Sequence, residues 1–119
     1  MAGEVKNVEA GETRKFEHGM VQVVKVGSVT VGRALFEPGW RWSNDVKPIV
    51  GTESCMVHHT GYGISGRIHI AMNDGSEFEI GPGDANDIQP GHDAWVVGDE
   101  PYVGVDFSEE IADYAKPAS

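Results

Sequence analysis

The chain has 119 residues, enough for one domain with one core and too few for a catalytic domain beside a regulatory one. Nine Lys and Arg against 19 Asp and Glu give a formal net charge of -10, which repels phosphate backbones and anionic membrane surfaces, so neither a nucleic acid nor a membrane is expected as a partner. The single cysteine, Cys55, can form no intrachain disulfide and implies no oxidising compartment.

Residues 1–11 read as a loose arm. Ala2-Gly3-Glu4-Val5-Lys6-Asn7 carries no apolar leader core, and nowhere do about 18 apolar residues run together, so the expected location is the cytoplasm. From there Gly punctuates short segments of Val, Ile, Phe and Tyr with period-2 alternation, the layout of an all-β barrel or sandwich. Strands are predicted over 12–17, 21–25, 28–37, 54–64, 67–73, 77–80, 85–88, 94–97 and 102–107. Asp74-Gly75 between two of them predicts a two-residue hairpin turn, which needs positive φ at both central positions. Ser108 followed by Glu109 and Glu110 reads as an N-cap with acidic residues in the first turn, so a short helix to about Tyr114 is expected.

Two stretches carry a family resemblance. Gly81-Pro82-Gly83-Asp84 is followed five residues later by Gln89-Pro90-Gly91-His92, downstream of a segment with Cys55, His58, His59 and Gly66. These resemble the two sequence motifs of the cupin superfamily, over roughly residues 35–107. Counting back from Gly66 puts His59 on the glutamate position of the first motif, with Glu53 and Cys55 on its two histidines. The second motif starts at Gly83 and puts Gln89, Gly91, Ala94 and Gly98 on its proline, glycine, histidine and asparagine. The glycines match and the metal-ligand positions differ. The resemblance implies an all-β fold, a cupin double-stranded β-helix or jelly-roll barrel in one domain, often with a metal at the centre.

On a strand, side chains two apart share a face. If His59 points inward, so does Cys55; His92 has the parity of Ala94 and replaces it as a candidate ligand. A thiolate with two imidazoles suits a divalent transition metal, zinc first, with iron, nickel, copper and manganese compatible, and three protein ligands leave a position for water or substrate. The plainer reading makes Cys55 a small core hydrophobe and the histidines hydrogen-bonded core groups. A nucleophilic Cys55 with His59 as base is not expected, because same-face residues four apart on an extended strand lie about 13 Å apart at Cα; only a bend at Val57-His58 brings them together. His58 is expected to face outward, and His18 and His69 to be structural.

Trp40, Trp42, Tyr62 and Trp95 beside the motif halves are candidate pocket walls, with Arg41 as a scarce cation next to them. Core packing is the alternative for each aromatic. Lys47, like Arg41, implies an anionic substrate group if it faces the pocket. Tyr62 and Glu53 are the candidate acid/base groups. The leading function is a metal-dependent small-molecule enzyme of dioxygenase, isomerase or lyase type. The rival is a metal-free sensor or binding module, and a structural protein without ligand is the third reading. A homodimer is expected, paired through a sheet edge or an exchanged N-terminal segment.

Overall fold

A computed structural model describes residues 2–117. Nine antiparallel strands form two sheets: β1 (Glu12–Phe16), β2 (Gly19–Val26), β3 (Val29–Phe36), β4 (His59–Ser65), β5 (Ile68–Met72), β6 (Glu77–Ile80), β7 (Ala85–Ile88), β8 (His92–Val96) and β9 (Tyr102–Asp106). The larger sheet runs β1-β2-β3-β9-β4-β7 and the smaller β6-β5-β8. Alternation sets the faces. In β2, β5 and β8 the inward residues Val21, Val23, Ile68, Ile70 and Ala94 are buried, and they share one core with Phe36 and Tyr102. This is the jelly-roll arrangement that the motif spacing predicts.

The predicted β5-β6 hairpin forms, with a longer connection than two residues. Met72 N–H donates to the Ser76 carbonyl at 2.8 Å, and the Asp74 carboxylate accepts from the Ser76 N–H and hydroxyl at 2.9 and 2.6 Å. That side-chain turn replaces the tight one, while Gly75 keeps a positive φ of 93°.

Between β3 and β4 the expected loop contains two single-turn helices, α1 (Trp42–Asp45) and α2 (Lys47–Val50). Pro48 sits in the first turn of α2, and Gly51 ends it at a φ of 81°. Asp93 on β8 anchors α1 by accepting from the Ser43 N–H at 3.0 Å and its hydroxyl at 2.8 Å. The effect is to drive Trp42 and Val46 into the core, beside Trp40, which stacks on Phe36 at 3.8 Å and 3°. Burying two tryptophans contributes roughly 4–6 kcal/mol each, so this segment is part of the core and not a loop laid over it.

The short C-terminal helix forms where expected, as a 3-10 helix, whereas the N-terminal segment is held to the fold. The arm is tied down: Asn7 caps a 3-10 helix at Val8–Ala10, and Lys6 donates to the Lys25 carbonyl at 2.9 Å. The C-terminal helix is a 3-10 helix, Glu109–Asp113, with Ser108 as its cap. Its Ile111 occupies the space left free by Gly32 on β3. Tyr114 then enters the barrel end, its ring 6.3 Å from Phe16, 6.3 Å from Phe36 and 5.7 Å from His59. Among the described residues no helix is long and apolar enough to cross a membrane.

Candidate metal centre

The fourth strand was expected to begin at Ser54, and it begins at His59. Cys55 lies outside it, held by an isolated bridge to β8: its N–H donates to the His92 carbonyl and its own carbonyl accepts from Gly91, both at 2.8 Å. The chain then swings outward through Met56 and returns at His59. This bend removes the 13 Å objection to a Cys55 and His59 contact. Cys55 Sγ lies 3.7 Å from His59 Nε2. The bridge also sets His92 beside them, its ring 5.3 Å from that of His59. One ligand atom from each of Cys55, His59 and His92 lies within 4.8 Å of the others, the one such group among the described residues. Cys55 and His92 are each 3% exposed.

The far side of each imidazole is engaged. His59 Nδ1 donates to Asp106 Oδ2 at 2.5 Å, and the other Asp106 oxygen accepts from the Ser108 N–H at 2.9 Å. His92 Nδ1 donates to the Gln89 carbonyl at 2.9 Å. Both rings are thereby oriented with a proton on Nδ1, which leaves Nε2 as the atom a metal would take, the outer-shell arrangement common to metal-binding histidines. Asp106 went unremarked in the sequence, although it continues the inward face Tyr102, Gly104 of β9, and a carboxylate at the end of a buried face is the signal that marks it.

Burial pushes the Cys55 thiol up, but hydrogen bonds from His59 and His92, reinforced by their charge, outweigh it and bring it down to about 6. Burial pulls His59 down, and the Asp106 and Cys55 hydrogen bonds more than reverse this, raising it to about 9. Without a metal the pair is a thiolate beside an imidazolium. Burial pushes the Tyr102 hydroxyl up to about 12 and that of Tyr114 well above its ordinary range, so neither is a base at neutral pH.

The three residues border a cavity of about 70 Å³, walled by Phe36, Trp40, Trp42, Tyr102 and Tyr114, with Asn86 and Asp106 among its polar groups. Trp40 is 1% exposed, and its indole Nε1 has no hydrogen-bond partner.

The structure separates the other predicted site residues from this cavity. Tyr62 is 46% exposed; three residues from His59 it takes the opposite face of β4, so it is no acid/base group of this site. Glu53, its side chain 95% exposed, pairs with Lys47 at 3.1 Å out in solvent. Trp95 has the parity opposite to Ala94 and faces outward, stacked on His69 at 4.6 Å, with the Arg41 guanidinium 4.2 Å over its other side. Arg41 also reaches Asp93 at 3.4 Å. Trp40 and Trp42 do border the cavity, whereas Arg41, Lys47 and Trp95 do not, and the anionic group that a pocket cation implied loses its support. His58 faces outward to Asp87 at 2.7 Å, and His18 meets Asp45 at 3.1 Å.

No protein-family model matches the chain, and no curated protein matches it significantly by sequence. Solved structures do. A Cupin 2 conserved barrel domain protein from Salinispora arenicola is similar over 95% of both chains, at 15% identity and a TM-score of 0.61. A deletion mutant of Bacillus subtilis oxalate decarboxylase is similar over 87% of this chain and 29% of its own, at 22% identity and a TM-score of 0.60. A sugar phosphate isomerase of the cupin superfamily from Silicibacter pomeroyi is similar over 86% of this chain and 73% of its own, at 15% identity and a TM-score of 0.59.

Proposed function

We propose that this chain, which has the cupin fold, binds one divalent transition metal through Cys55, His59 and His92 and uses it to act on a small molecule. The observation that carries the reading is the convergence of three donor atoms within 4.8 Å while both Nδ1 atoms are occupied by Asp106 and the Gln89 carbonyl. A buried thiolate with two neutral imidazoles suits zinc best and accommodates iron, nickel, copper or manganese. A bound metal would supply Lewis-acid polarisation of a substrate oxygen or an activated water. The chain's own share is clearer: Asp106 orients His59, Gln89 orients His92, and the aromatic walls keep bulk water out. A dioxygenase, isomerase or lyase activity in the cytoplasm, with the chain as a homodimer, is the setting we favour.

Elemental analysis of protein reconstituted with zinc, iron, nickel or copper tests this. One equivalent per chain, lost in His59→Ala, supports it; a wild type that takes up none of the four refutes it. One further reading has an observation of its own. Cys55 Sγ, His59 and Asp106 lie in line at 3.7 and 2.5 Å, the order of nucleophile, base and orienting carboxylate. In that reading Cys55 of the metal-free protein is alkylated by iodoacetamide with a midpoint near the thiol value of about 6, and added zinc does not protect it. A third, metal-free ligand-binding barrel would show neither metal uptake nor reactive thiol.

A further inference from the structure

We propose that the outer face of the larger sheet, centred on β9 and β4, is the surface on which two copies of this chain pair through a two-fold axis. This rests on the homodimer reading above and gives it a face.

An antiparallel sheet with one face on a core and the other in water alternates apolar-in with polar-out along each strand. Strand β9 breaks that rule. Its inward residues are Tyr102, Gly104 and Asp106, and its outward residues are Val103 and Val105, with Phe107 continuing the outward row. Strand β4 turns Tyr62 and Ile64 to the same side, since Tyr62 pairs with Val105, and β3 adds Leu35, the register partner of Val103. Tyr62, Ile64 and Phe107 are 46%, 48% and 49% exposed. Large apolar side chains left open on adjacent strands form the kind of patch that marks an interaction surface.

The chain covers one half of this face itself. On β2 the outward residues Gln22 and Val24 are each 7% exposed, because the N-terminal arm crosses them: its 3-10 helix packs on β2, Gly11 lies against Val24, and Glu9 reaches Arg33 on β3 at 3.8 Å. The cover ends there, and the exposure of Tyr62, Ile64 and Phe107 shows the half over β9 and β4 left open.

Charge selects the occupant. At a net charge of -10 two copies repel over most of their surface, and an anionic membrane or nucleic acid is repelled too. The open half is where that repulsion is absent, since the outward residues of β9 and β4 are Val103, Val105, Thr60, Tyr62 and Ile64, with no acid among them. Its two flanks are of opposite sign. Arg33 stands outward on β3, opposite Val105, and Asp87 stands outward on β7, opposite Thr60; both side chains reach solvent. β3 and β7 lie on either side of the β9 and β4 pair. A two-fold axis lying in the interface along the seam of β9 and β4 therefore carries β3 onto β7, and sets Arg33 of one copy against the partner subunit's Asp87, twice over. The apolar centre meets its own copy and each flank meets its complement, as an isologous contact demands.

The test is sedimentation velocity of the full chain across the micromolar range, where the wild type is expected to run as a particle of twice the 12.8 kDa chain mass. Ile64→Glu and Tyr62→Glu each set an acid against the partner's apolar face and are expected to weaken the dimer by at least about 100-fold. Both positions are half exposed in a single chain, so the resulting monomers should keep the wild-type circular dichroism and melting. Phe78→Glu, at an exposed apolar position on the smaller sheet, is expected to leave the dimer as it is. Arg33→Glu and Asp87→Arg are each expected to weaken it by about tenfold or more, and the two combined to restore it. A monomeric wild type overturns the proposal together with the homodimer reading. A wild-type dimer that Ile64→Glu and Tyr62→Glu leave intact, or that Phe78→Glu breaks as readily, overturns the face alone, and a charge swap that restores nothing overturns the two-fold pairing.

Discussion

His59 and His69 are both histidines held by carboxylates, on opposite faces of the barrel wall, and only one of them is free to do chemistry. His59 spends Nδ1 on Asp106 and turns Nε2 toward Cys55. His69 spends both nitrogens, Nε2 on Glu77 at 2.6 Å and Nδ1 on Glu79 at 3.1 Å, and one face of its ring stacks on Trp95. The Glu79 and Glu77 hydrogen bonds raise the His69 pKa, as Asp106 and Cys55 do for His59. A shifted histidine beside a carboxylate is therefore no sign of a site in itself. What separates the two is an uncommitted ring nitrogen facing a cavity, and that depends on which strand parity the sequence gives each residue.

Removing each imidazole breaks the comparison most directly. His59→Ala should weaken zinc binding by more than about 100-fold, beyond the 10–100-fold typical of an outer-shell loss. His69→Ala should change it by less than about twofold, as for a distant independent site. Zinc titration against a chelating indicator measures both, and equal losses would dissolve the distinction. Next in size is Asp106→Asn, which keeps the shape of the carboxylate and alters its charge. Zinc affinity should fall by about 10–100-fold, whereas Glu77→Gln on the outer face should leave it unchanged.

The same parity rule explains how much of this was legible beforehand. Period-2 patterns of Val, Ile, Phe and Tyr between glycines located the nine strands of the described residues, and the motif count brought forward Cys55, His59 and His92, the three residues the fold collects. The rule that put His59 inward also puts Tyr62 outward, three residues along β4, and the Ala94 position turns Trp95 outward; choosing them for their chemistry set the parity aside. Other features depend on contacts distant in sequence. The bend that releases Cys55 from β4 is fixed by a bridge to His92, 37 residues away by number, and α1 is fixed by Asp93 across a separation of 50. Tyr114 reaches the barrel end through the fit of Ile111 against Gly32, which no local pattern encodes.

A proton count sharpens the contrast further. With Cys55 at about 6 and His59 at about 9, the metal-free pair between those values holds one proton, on the His59 nitrogen that the metal must take. Zinc binding at about pH 7.5 should release about one proton per ion. Release should increase below pH 6, where the thiol is also protonated, and the His59 and Cys55 share of it should vanish above pH 9, where the imidazole has already lost its proton. Calorimetry in buffers of different ionisation enthalpy reads this directly. His69, on the outer face with both nitrogens held by carboxylates, contributes nothing to it, so release that persists in His59→Ala would show that another group is being displaced.

The smallest effect comes from the outer stack. Arg41 lies 4.2 Å over Trp95, which His69 also stacks on, and its side chain is two-fifths exposed, so Arg41→Ala should cost about 0.5–1 kcal/mol in stability. The loss stays modest because Asp93, which Arg41 also approaches, keeps its two bonds from Ser43. Trp95 emission should shift to the red as water reaches the uncovered ring, while zinc affinity stays within about twofold of wild type. The value of the variant lies in its position. Arg41 is flanked by Trp40 and Trp42, which wall the cavity, so a chain segment one residue wide divides outer stack from inner site. If trimming Arg41 lowered zinc affinity more than a few-fold, the backbone at Trp40 to Trp42 would be transmitting the loss inward, and the two faces of the barrel wall would have to be treated as one cooperative unit.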